Sequence, residues 1–137
     1  MRRFVCAFAL MLLLSSAAFA VTKEFGRFTI DVPDGWSASD EGNGTTSIMA
    51  EDKSAALTVT INDLKGATLG EVAEQMSNAL GGTKPDVDAD GDYSFDFSSG
   101  GVASRAVMTG DNREYMMLSI TGQHEELAGI LNSIEIK

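Results

Sequence analysis

Cysteine is almost absent from the chain: Cys6 is the only one in 137 residues. No disulfide can brace the domain, so its core alone must hold it together. Histidine is equally scarce, with His124 alone. A serine triad would have one candidate base, and no G-x-S-x-G turn accompanies it. At the start of a predicted helix, His124 reads as a surface residue. Basic residues number 10 against 20 acidic ones, a net charge of −10. That balance repels phosphates and anionic headgroups, which excludes nucleic acid as a partner. Long apolar runs are missing too. Phe4 to Leu14 is about half of the ~20 residues a spanning helix needs, so no stable membrane anchor is expected.

That short run sits in an export signal. Arg2-Arg3 supplies the charged start and Ala18-Phe19-Ala20 a small-x-small cleavage site, so residues 1–20 read as a signal peptide. Val21 stands where a lipoprotein would carry its cysteine. The expected product is residues 21–137, a single domain, periplasmic or secreted. Without residues 1–20 it has 117 residues, with 8 basic and 20 acidic side chains and a formal charge of −12. Such a surface favours solubility, and basic proteins or cations as partners.

What is present alternates. Phe28, Ile30 and Val32 flank Thr29 and Asp31, the period of a half-buried strand. Pro33 ends it for want of an N–H, Asp34-Gly35 turns, and the only tryptophan, Trp36, follows. Trp36 is expected to plug one edge of the core; exposure as a recognition residue is the competing reading. Ser37 to Gly44 is polar and reads as a loop. Thr45–Ala50 and Ala55–Ile61 read as strands. Leu69, Val72, Ala73, Met76 and Leu80 change the period to helical, with a Thr68-x-x-Glu71 capping box before and Gly81-Gly82 after. Three more strands follow: Asp92–Ser98, Val102–Thr109 and Glu114–Thr121. The last is apolar on both faces, which predicts a central strand. Leu127, Ile130, Leu131 and Ile134 predict a second helix, with Glu125 and Glu126 in its first turn. The order βββα-βββα with hairpin-length turns predicts an α+β fold, a mainly antiparallel sheet of about six strands flanked by two helices in an α/β/α-type sandwich.

An aromatic strand running into Val32-Pro33-Asp34-Gly35-Trp36, a middle helix, a meander and a terminal Leu127-x-x-Ile130-Leu131-x-Ser133-Ile134 resemble a known small-domain group. It is the PsbP/Mog-like group, shared by the extrinsic PsbP subunit of photosystem II, the Ran-binding Mog protein and DcrB-type bacterial envelope proteins. The resemblance spans Phe25 to Lys137. It implies a sheet sandwiched by helices and a role in binding or assembly, and it brings no active site to these residues.

Two motifs offer chemistry of their own. Asp86-Val87-Asp88-Ala89-Asp90-Gly91-Asp92 matches the first half of an EF-hand loop, so Asp86, Asp88, Asp90 and Asp92 are candidate calcium ligands. Phe97 stands where the bidentate glutamate belongs, and an acidic turn leading into a strand is the competing reading. Methionine thioethers could hold Cu(I), but Met116 and Met117 are adjacent on a strand and point to opposite faces, so core packing is expected. The functional expectation is a non-enzymatic binding or assembly module of the bacterial cell envelope, with a protein partner and no obligate cofactor. The alternatives are a weak calcium-binding domain and a carboxylate-dependent hydrolase.

Overall fold

A strand apolar on both faces needs cover on both sides, and Glu114–Gly122 has it. The computed structural model describes residues 20–137, so the expected signal peptide of residues 1–20 lies outside the described residues except for Ala20. In chain order the first half holds β1 (Ala20–Phe25), β2 (Phe28–Pro33), β3 (Trp36–Gly42), β4 (Thr45–Ala50), β5 (Ala55–Asp63) and helix α1 (Leu69–Leu80). The second half holds β6 (Asp86–Val87), β7 (Tyr93–Ser99), β8 (Val102–Gly110), β9 (Glu114–Gly122), helix α2 (Leu127–Asn132) and β10 (Glu135–Ile136). All pairings are antiparallel. A seven-stranded sheet runs β3-β4-β5-β9-β8-β7-β6, which puts β9 at its centre, and a three-stranded sheet runs β1-β2-β10.

Two cores lie on opposite faces of the large sheet. On one face Ile48, Leu57, Val59 and Ile61, with Leu118 and Ile120 of β9, pack against Phe28, Ile30 and Val32 of the small sheet and Leu127 and Ile130 of α2. On the other, Phe95, Ala106, Met108, Tyr115 and Met117 pack against Val72 and Ala73 of α1. Met116 and Met117 thus serve separate cores. The α+β class with helices flanking an antiparallel sheet is what the alternation predicts. The cover on one side, however, is a small sheet together with a short helix.

The local signals around α1 act as read. Thr68 accepts from the Glu71 N–H at 3.1 Å and Glu71 accepts from the Thr68 N–H at 2.9 Å, while Gly81 closes the helix in the left-handed region. These bonds hold the Glu71 carboxyl below its ordinary range, so its share of helix stability is present above that range and is lost as pH falls through the lowered value.

Four differences stand out. Residues 37–44 do not form a loop up to Gly42: Trp36–Gly42 is an edge strand, paired Trp36↔Ala50 through Asp40↔Thr46. Its exposed side chains are polar because its outer edge and one face meet solvent. Together with β3, the strands β1, β6 and β10 were not legible, so the strands among the described residues number ten rather than six. Helix α2 is only six residues long and leaves Ile134 outside it, and Glu126 is its N-cap rather than a first-turn residue. Ser133 ends it, its hydroxyl donating to the Ile130 carbonyl at 2.6 Å and accepting from the Asp31 N–H at 2.9 Å. That tie to β2 turns the chain into β10. Finally, Leu80 is 39% exposed; Ser77, buried in its place, donates to the Thr83 carbonyl.

Candidate functional site

The acidic loop is a turn between β6 and β7. Asp88 points its Oδ1 back at the loop, accepting from the N–H groups of Asp90 (2.9 Å) and Asp92 (3.0 Å). The Asp88 N–H donates to the Asp92 carbonyl at 2.9 Å, and Gly91 supplies the left-handed residue at φ 84°. Asp86, Asp88 and Asp90 are exposed. Among the described residues, no group of three or more His, Cys, Asp or Glu converges to hold a metal ion. The turn supplies its own donors to Asp88, the work a cation would otherwise do. The expected result is therefore an equal melting temperature in EDTA, millimolar calcium and millimolar magnesium. Asp88→Ala should cost about 1 kcal/mol through the lost turn bonds. A rise specific to calcium, lost in Asp88→Asn, would restore the loop as a metal site.

Trp36 is 7% exposed and belongs to the core between the two sheets. The reading as an exposed recognition residue meets an indole with almost no free surface. Its partner is one that sequence reasoning missed. His124 meets Trp36 edge-on, ring centroids 4.9 Å apart, and its Nδ1 accepts from the Glu126 N–H at 3.1 Å. The lone histidine shapes the entry to α2, and no spacing in the sequence signals that contact.

The most site-like geometry lies where five segments, three turns and two strands, converge at one end of the sandwich. The β1–β2 turn brings Arg27, the β3–β4 turn brings Gly42 to Gly44, and β5 brings Ile61. The β8–β9 turn brings Asp111 and Glu114, and β10 brings Ile136. Two cavities adjoin there and share Ile61 as a wall. One, of about 210 Å³, lies between Phe25, Arg27, Phe28, Asp40 and Gly44. The other, of about 200 Å³, lies between Tyr115, Met116, Ile136 and the rim carboxylates Asp111 and Glu114. Arg27 of the first rim pairs with Glu114 of the second, so an ion pair spans the strip between them.

The rim is held rigidly. Gly44 sits at φ 78°, and a Cβ there would stand 2.4 Å from the Ile61 carbonyl oxygen, so only glycine lets this turn approach β5. Asp111 accepts from the N–H groups of Arg113 (2.8 Å) and Glu114 (2.9 Å). These two backbone bonds, the Glu114 one first, hold its carboxyl below the ordinary range, so it is a fixed anion. Glu114, and secondarily Asp63, raise the Arg27 guanidinium above its usual value. Chemically this is a recess with an apolar floor and charged edges, suited to gripping a side chain. Sequence reading named none of these residues as a site, because they come from five separate stretches of chain.

No family model matches this chain, and no curated protein does. The likeness is to solved structures. The solution structure of cyanobacterial PsbP (CyanoP) from Synechocystis sp. PCC 6803 is 11% identical with a TM-score of 0.54, and the match covers 89% of this chain and 94% of that one. The fold is PsbP-like. A crystal structure from Bacteroides thetaiotaomicron is 17% identical with a TM-score of 0.50, over 80% of this chain. This chain spans under half the length of that one, 45%. At these identities the PsbP-like likeness concerns architecture alone.

Proposed function

We propose that this chain is an exported, non-enzymatic binding or assembly module of the bacterial cell envelope, periplasmic or secreted after cleavage near Ala20, with a protein as its partner. Within the PsbP-like fold, the Mog-like and DcrB-type grouping is part of the same reading. The observation that supports it is the pair of adjoining recesses around Ile61, apolar at the floor and charged at the rim. A recess of that make-up fits a partner's side chains, since Arg27 holds one oxygen of Glu114 and backbone N–H groups hold one oxygen of Asp111, which fixes both carboxylates at the rim and leaves the second oxygen of each for a partner's donor. No helix among the described residues is long and apolar enough to cross a membrane.

The test is cross-linking and co-purification of the exported protein in its native envelope, beside a panel of hydrolase substrates. A stoichiometric protein partner without turnover is the expected result. Turnover that survives purification and is lost with a single carboxylate would replace this reading with the hydrolase alternative.

A further inference from the structure

We infer that the gap between β10 and the β8–β9 turn receives an extended partner segment that places an apolar side chain beside Ile136 and a basic one beside Asp111 and Glu114. This surface and class of partner rest on the proposed role as a binding module.

Three independent features meet at this gap. The first is the edge itself. β10 pairs with β2 on one side only, with Glu135↔Thr29 and Ile136↔Phe28 in register. The Lys137 N–H donates to the Arg27 carbonyl at 3.0 Å, which makes Lys137 and Arg27 a hydrogen-bonded pair. In an antiparallel ladder such pairs alternate, so the N–H and C=O of Ile136 point away from β2, toward the free edge. An incoming strand finds one donor and one acceptor waiting there.

The second is the apolar slot. Ile136 is 54% exposed and walls the cavity of about 200 Å³ with Ile61, Tyr115 and Met116. An isoleucine left in water on a two-residue strand contributes little to the fold, whereas a side chain inserted beside it would bury apolar surface on both partners.

The third is charge. The charged side chains lining this cavity are Asp111 and Glu114, with no basic one among them; Arg27 meets Glu114 from the neighbouring rim, and residues 21–137 carry −12. A second copy of this chain would bring the same charge and be repelled, as would nucleic acid or an anionic lipid surface. A segment with Lys or Arg next to an apolar residue is the occupant whose charge complements the rim.

The probe is a displayed library of short random peptides, selected on the purified exported protein with Ile136→Asp as the counter-target. Ile136 is half exposed, so that change adds a charge without emptying the core; circular dichroism checks that the fold is kept. The expected result is enrichment of sequences pairing a large apolar residue with Lys or Arg. Synthetic peptides of that type should bind Ile136→Asp about tenfold more weakly or worse. Asp111→Asn keeps an oxygen for both backbone bonds, and it should weaken binding about threefold and flatten its salt dependence. Enriched peptides that bind Ile136→Asp as well as the parent, or no enrichment against that counter-target, would overturn the inference. Failure of the module reading looks different: neither the parent nor Ile136→Asp would then recover a partner from the envelope.

Discussion

Phe95→Ala is expected to lower the unfolding free energy by about 3–5 kcal/mol, a large part of the roughly 5–15 kcal/mol of an ordinary domain. Phe95 is 2% exposed in the core between α1 and the sheet. It lies on β7, one strand from the edge, and its only outer neighbour is the two-residue β6. Its ring fills the space under the end of α1, so close to Gly82 that a Cβ there would stand 2.9 Å from Phe95 Cδ2. The C-terminal end of the helix cannot sink freely to fill the void, because the segment after it is tied to β7: the Thr83 N–H donates to the Asp96 carbonyl at 2.8 Å, and the Asp96 N–H donates to Thr83 Oγ1 at 3.0 Å. The measurement is denaturant unfolding of the parent and variant, with hydrogen exchange across residues 69–80. A loss below about 1 kcal/mol with unchanged protection in that stretch would mean that α1 does not depend on this ring.

Trp36→Ala should cost a comparable amount, about 3–5 kcal/mol, and it acts on the opposite core. Trp36 starts β3 immediately after the Asp34-Gly35 turn, where the chain leaves the small sheet and enters the large one. The Glu51 N–H bonds the Gly35 carbonyl at 2.7 Å, which fixes the backbone and leaves the indole to fill the corner between the sheets. Removing it empties that corner and strips His124 of its edge-on partner, a contact worth about 0.5–1.5 kcal/mol beyond area burial. The indole emission of the folded parent should be blue-shifted and move to the red on unfolding. A water-like spectrum in the folded protein, with stability unchanged in Trp36→Ala, would contradict the burial described. Because the two rings lie in cores on opposite faces of the large sheet, their losses should add to within about 0.3–0.5 kcal/mol.

The sequence by itself determined whatever depends on side chains close along the chain. The alternation of Phe28, Ile30 and Val32, the capping box of Thr68 and Glu71, and the two-faced apolarity of β9 each report a local environment. Periodicity shows which face of an element is apolar, and caps show where a helix stops. The central place of β9 followed, since a strand apolar on both faces must be covered twice. Only the tertiary structure decided the elements whose stability is borrowed. β3 is polar along one face and at its outer edge, so Ser37 to Gly42 reads like a loop until Thr45 to Ala50 pairs with it. β10 exists because Ser133 is tied to Asp31 and Lys137 to Arg27, which also cuts α2 short. The acidic loop shows the reverse: its spacing suggested a cation, and the hydrogen bonds Asp88 makes within its own turn are invisible in a residue pattern. The recess at Ile61 was least legible of all. Arg27, Ile61, Glu114 and Ile136 have no local relation, and only sheet pairing across the whole chain gathers them at one end.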